Sequence, residues 1–319
     1  VRRASVAFLG LTACLRSTTF HCATSADCGA GTCESTGFCA FTDLGCDSGL
    51  RYGDFSAGYT HQCVGSVIDL DAGVDAGPDA LYDAKVKLTD AADPGMVEVS
   101  AGGFMMGCNS AIDTMCNANE SPYHLVMLSG FEIDITEVTQ SAYAACVTAN
   151  ACTAPKNGPS CSYDPVGMAN LPVACVDWTQ ATAYCAWDGK RLPTEAEWEK
   201  AARGGDGRIW PWGNTTPDCT HASYSGCGGV VAVATLTAGA SPYVEQDAAG
   251  NIEEWVNDWY SATYYASSPM MDPTGPATGT MKVFRGGSYL GPISYIRTSN
   301  RRYNTTNTTS SGIGFRCAR

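Results

Sequence analysis

The sequence predicts an α+β domain with long irregular loops, preceded by a small cysteine-rich module. Three observations carry that expectation. Lys190–Gly205, KRLPTEAEWEKAARGG, reads as a capped helix, and short apolar runs between 96 and 135 read as strands. From Gly204 onward regular periodicity thins, and Gly, Thr, Asn and Ser surround Trp210, Trp212, Trp255 and Trp259, the pattern of a domain packed through its loops.

A chain of 319 residues holds one large domain or two modest ones. Its net charge of -13 argues against a nucleic-acid partner. Seventeen cysteines without closely spaced zinc-type pairs point to disulfides in an oxidising compartment, and four histidines leave little for metal ligation or general bases.

Residues 1–14 read as an export signal. Arg2 and Arg3 precede the apolar run Ala4–Ala13, and Leu11-Thr12-Ala13-Cys14 resembles a bacterial lipoprotein processing box, in which the cysteine is lipidated. Setting Cys14 aside leaves an even number of cysteines; an ordinary signal peptide is the plainer alternative. No later stretch approaches the ~20 apolar residues of a membrane helix. The expectation is an exported protein, either secreted or a periplasm-facing or cell-surface lipoprotein, including one of the outer membrane, with membrane association through a lipid anchor only.

Residues 20–65 contain Cys22, Cys28, Cys33, Cys39, Cys46 and Cys63 among few large apolar residues. Such a module buries too little core to fold alone, so three disulfides are expected, each contributing ~2–4 kcal/mol, with pairing undetermined. Residues 66–93 form an aspartate-, alanine- and glycine-rich linker, kept extended by like charges.

Residues 94–319 hold the main domain. Met96–Val99 and Phe104–Gly107 read as short strands around the Ala101-Gly102-Gly103 turn; His124–Leu128 and Phe131–Ile135 read as a strand pair turning at Ser129-Gly130. Glu137-Val138-Thr139 leads into a helix with Tyr143, Cys146 and Val147 on one side. Asp177 and Gln180 form a capping box before a helix with Ala181, Tyr184 and Cys185 on one face, ending at Gly189. In Lys190–Gly205 the Thr194–Glu197 capping box starts a helix whose Trp198, Ala201 and Ala202 make a buried stripe. Cys108 with Cys116, and Cys219 with Cys227, are close enough in sequence to pair locally.

That stretch is followed in order by WPWGN (Trp210–Asn214), DAAGNIEEW (Asp247–Trp255), FRGGSY (Phe284–Tyr289) and GFRCAR (Gly314–Arg319). Together they resemble the formylglycine-generating enzyme (sulfatase-modifying factor) family from about Pro94 to Arg319, and Met96-Val97 with Gly102–Gly107 resembles its opening signature. The resemblance implies a variant of the C-type lectin fold. It also implies a copper(I) centre made by a cysteine pair just after the Gly-Gly-Ser-aromatic motif, where soft thiolates suit the ion. Here those positions are Gly291 and Ile296, so no copper is expected. A related branch holds iron with three histidines, but the domain offers only His124 and His221. The resemblance further implies structural calcium on the Asp247 side chain, the Gly250 and Ile252 carbonyls and the Glu254 carboxylate, a hard-oxygen set. Asp247 stands for the family's asparagine and Glu253 for its tryptophan. A Cys185–Cys317 disulfide is also implied.

Arg297, Arg301 and Arg302 concentrate positive charge near the degenerate centre and would line a groove for an anionic or extended peptide, unless they are ordinary ion pairs. The expected function is a noncatalytic binding or structural module that recognises a peptide or protein surface. The alternative is an oxidoreductase of the same family acting on peptide cysteine through a non-standard site.

Overall fold

The chain divides into two compact units, Val1–Gly65 and Ser66–Arg319. A computed structural model describes residues 95–319 and the strand segments 32–33, 39–42 and 50–52. The expected leader, the module's disulfides and the linker lie outside the described residues. In the first unit β1 (Thr32–Cys33), β2 (Cys39–Thr42) and β3 (Leu50–Tyr52) form an antiparallel sheet in that order.

The second unit opens with a bent ribbon. β4 (Met96–Val99) pairs antiparallel with β7 (Phe131–Asp134), and β5 (Gly102–Met106) with β6 (His124–Leu128). Val99 faces Phe131 and Gly102 faces Leu128, so one register runs through the bend at Ser100-Ala101 and Ser129-Gly130. The expected hairpin between β6 and β7 is therefore corrected: the Ser129-Gly130 step bends one long strand, and the true reversal is the loop 107–123 at the ribbon's tip. Its apolar face, including Val97, Phe104, Val126 and Ile133, forms a core with Ala196 and Ala201.

Three helices follow. α1 (Gln140–Thr148) is capped by Thr139, α2 (Trp178–Trp187) by the Asp177–Gln180 box, and α3 (Glu195–Arg203) by the Thr194–Glu197 box. Every residue of α3 is buried, so its charged side chains must be paired inside the protein. Glu195 accepts from Arg285 and Arg301, Glu199 from Arg203, Arg285 and the Gly107 amide, and Lys200 donates to the Ser100 and Gly102 carbonyls. Burial alone would raise the Glu195 carboxyl; Arg301 and Arg285 outweigh it and hold it below its ordinary value.

β8 (Glu253–Trp259), β9 (Lys282–Arg285), β10 (Arg302–Asn304) and β11 (Ile313–Gly314) make a sheet ordered β10-β9-β8-β11, in which only β11 joins parallel. The C-type lectin description is corrected by this arrangement: a bent ribbon and a separate mixed sheet are not a lectin-type topology. A second core joins Tyr143, Tyr184, Trp255, Phe284 and Phe315, and the Cys185–Cys317 disulfide crosses it. Among the described residues no helix is long and apolar enough to cross a membrane.

Candidate functional site

The ribbon's tip loop carries Cys108, Asp113, Cys116 and Glu120. The loop closes because the Cys108 amide donates to the Glu120 carbonyl at 2.9 Å. At Gly107 (φ +100°) a Cβ would sit 2.6 Å from that carbonyl, so the reversal needs glycine. Cys108 and Cys116 are joined, Sγ to Sγ at 1.98 Å. Both sulfurs and a Glu120 carboxylate oxygen lie within 4.8 Å of one another. Cys108 and Glu120 are buried, whereas Cys116 is partly exposed.

Arg297 reaches this loop from far along the chain. Its Nη1 donates to Cys108 Sγ at 3.5 Å, to Asp113 Oδ2 at 2.8 Å and to Glu120 Oε2 at 2.8 Å, and its Nη2 to Glu120 Oε1 at 2.7 Å. Asp113 Oδ2 lies 3.2 Å from Cys108 Sγ. Burial would raise the Glu120 carboxyl, but Arg297 overcomes that and keeps it below its ordinary value. From the loop Met115 packs on an apolar floor of Ile209, Trp210, Ala222, Ala249 and Ile296, and Trp212 and Tyr224 border it.

The expectation that Gly291 and Ile296 leave this region without sulfur is corrected here. Ile296 is buried in the floor and the Gly291 carbonyl accepts from the Ser225 amide. The neighbouring Arg297 instead touches a cysteine pair supplied by the ribbon tip. With it falls the expectation that the chain has no donor set for copper: once the Cys108–Cys116 bond is reduced, two sulfurs and a carboxylate form a group that could hold a metal ion. Sequence reading missed this convergence because Cys108 and Glu120 lie 189 and 177 residues from Arg297. The available signal was two cysteines and two acids within one short loop.

The remaining candidates are placed as follows. Arg297 and Arg301 are buried, the latter paired to Glu195, so they do not open onto a groove. Arg302 is partly exposed and pairs with buried Glu253. His124 contacts the Pro122 carbonyl and His221 pairs with Asp218. Cys146–Cys152, Cys161–Cys175 and Cys219–Cys227 are also disulfides.

The calcium expectation is corrected, because its carboxylates are committed inside the protein. Glu254 accepts from Arg316 at 2.6 and 2.7 Å and from Trp198 Nε1 at 2.8 Å, and Asp247 accepts from the Ala234 amide at 2.6 Å. Gly250 and Ile252 lie between Asp247 and Glu254, and the Ile252 amide donates to Glu137. No calcium site is evident among the described residues. Arg316 Nη1 also lies 3.1 Å from Glu245 Oε1, but without the alignment of a hydrogen bond. Burial pushes the Glu245 carboxyl up to about 8, and burial with nearby Asp247 and Glu254 raises Glu137.

A pH dependence follows. Glu245 binds its proton more tightly folded than unfolded, so its contribution is fully present below its ordinary value of 4.5 and is lost as pH rises through about 8. Burial likewise raises Glu253 to about 7 and Asp258 to about 8. The melting temperature is expected to fall between these limits, and Glu245→Gln to flatten part of the slope. A thermal melt series that gives the variant an unchanged slope would remove Glu245 as a source.

A sulfatase-modifying factor enzyme 1-like domain model matches residues 83–319. The formylglycine-generating enzyme of Streptomyces coelicolor is 36% identical over 279 residues, covering 70% of this chain and 88% of that protein. Among solved structures, PvdO from Pseudomonas aeruginosa matches with a TM-score of 0.62 and 25% identity, over 70% of this chain and 93% of its own. Treponema denticola variable protein 1 matches with a TM-score of 0.57 and 27% identity, over 70% and 94%.

Proposed function

Because the chain belongs to the sulfatase-modifying factor enzyme 1-like family, we propose that it is an oxidoreductase-type member acting on a cysteine-bearing peptide. Its reacting centre in this reading is the Cys108–Cys116 pair with Glu120. The observation that supports it is the meeting of two sulfurs and a buried carboxylate beside Arg297 and the Ile296 floor. The likeness to formylglycine-generating enzymes favours this over a purely structural module. Five disulfides among the described residues favour an oxidising compartment outside the cytosol.

The donor set fits copper(I) after reduction of the Cys108–Cys116 bond, since two sulfurs bonded to each other offer no thiolates. Copper(I) would supply the one-electron chemistry that oxidation of a thiol by oxygen requires. The chain's own residues set the geometry. Cys108 and Cys116 supply the sulfurs, and Arg297 fixes Glu120 and Asp113 by hydrogen bonds that leave the pair beside partly exposed Met115 and the buried apolar floor under it.

The test is a copper(I) titration of the reduced protein against a chromophoric chelator, with a cysteine peptide supplied and its aldehyde sought by mass spectrometry. Wild-type protein is expected to bind stoichiometrically and to convert the peptide. The double variant Cys108→Ser/Cys116→Ser is expected to do neither. Equal copper uptake by both, with the peptide unchanged, would return the chain to the class of binding modules.

A further inference from the structure

We propose that the Cys108–Cys116 bond is an exchangeable disulfide that takes two electrons from a dithiol, with Cys116 Sγ the sulfur attacked and Cys108 Sγ the sulfur released. The inference deepens the reading above and rests on its placement of the reacting centre, but it needs no metal.

The five disulfides of the described residues differ in ways that bear on exchange. Three of them, Cys146–Cys152, Cys161–Cys175 and Cys185–Cys317, have both cysteines buried, so an incoming thiolate meets neither sulfur. Cys219–Cys227 is accessible from solvent, but among the described residues no guanidinium is hydrogen-bonded to it. Cys108–Cys116 combines the two properties that exchange requires. Cys116 is partly exposed on the tip loop, while buried Cys108 accepts a hydrogen bond from Arg297 Nη1 at 3.5 Å and has Asp113 Oδ2, itself held by Arg297, at 3.2 Å, placed to accept from the thiol once the released sulfur is protonated. Exchange proceeds fastest when the attacked sulfur is reachable and the departing one is stabilised as thiolate. The asymmetry therefore sets the direction of bond breaking.

The balance is complete without another reactant. The first thiolate of the dithiol bonds to Cys116 Sγ as the Cys108–Cys116 bond breaks, and the bonding pair departs on Cys108 Sγ beside Arg297. The second thiolate then attacks the dithiol's own sulfur in the mixed disulfide, closing the dithiol into a disulfide and freeing Cys116. The dithiol loses two electrons and two protons, and the protein gains them as two thiols. The partly buried Met115, Trp212, Tyr224 and Ile293, packed over that buried floor, are the apolar surface a dithiol peptide would lie against.

The experiment uses the unmodified full chain under native conditions with dithiothreitol as the dithiol probe. Samples are quenched with iodoacetamide over time and the alkylated cysteines mapped by mass spectrometry. Cys108 and Cys116 are expected to open at least about ten-fold faster than Cys219 and Cys227, with one oxidised probe formed per opened pair. In a parallel arm glutathione is expected to be trapped on Cys116 and not on Cys108. Faster opening of Cys219–Cys227, an adduct on Cys108, or release of all five bonds together on unfolding would each overturn the proposal. Failure here is distinct from failure of the peptide oxidation above. Exchange without aldehyde or copper uptake leaves this inference standing alone, and aldehyde formation by a pair that resists the dithiol overturns this inference only.

Discussion

The double variant Cys185→Ala/Cys317→Ala is expected to be about 5 kcal/mol less stable than the parent chain, by the loop-closure entropy of a cross-link spanning 132 residues. The comparable figure for Cys146–Cys152, which spans six residues, is about 2 kcal/mol. The long bond ties α2 to the segment behind β11 across the core of Tyr143, Tyr184 and Phe315. A deficit of about 5 kcal/mol removes much of the net stability of an ordinary domain. Urea unfolding under oxidising conditions measures it. A loss no greater than that of Cys146→Ala/Cys152→Ala would show that the bond adds little to what the core already holds.

Glu195→Ala is the second large effect. It leaves two buried guanidinium groups, Arg285 and Arg301, without the carboxylate they share. Breaking a buried ion pair from one side costs about 3–5 kcal/mol, because the remaining charge stays desolvated. Glu132→Ala is the contrast. Its partner Arg319 is exposed at the surface, and a surface pair is worth at most about 1 kcal/mol. Denaturant titration of both variants separates the two regimes, and equal losses would mean that the network around α3 carries no special share of stability.

Much of the fold was legible because its signals are local. The capping boxes at Asp177 and Thr194 announce α2 and α3 within four residues, and the short apolar runs MVEV at 96 and HLVML at 124 stand out as strands. Pairing was not legible. A bend at Ser129-Gly130 has the same residue chemistry as a tight turn, and only the partner strand distinguishes them. The same limit governs the candidate site. The cysteine pair could be suspected from its spacing, but its union with Arg297 is a contact across most of the domain. The charges misled in the opposite direction. Arginines concentrated in an acidic chain suggest an exposed patch, yet Arg297 and Arg301 are each drawn inside by carboxylates. Glu253 tells the same story, since it keeps its buried position by pairing with Arg302.

The segment 313–319 reaches back to the domain's first ribbon. Glu132 and Arg319 exchange backbone hydrogen bonds, the Asp134 amide donates to the Cys317 carbonyl, and Ala318 pairs with Arg191. A nascent chain therefore cannot complete the pairing of β7 until residues 317–319 are available. Vectorial synthesis delivers the ribbon long before the piece that locks it, so closure of this edge is a late event.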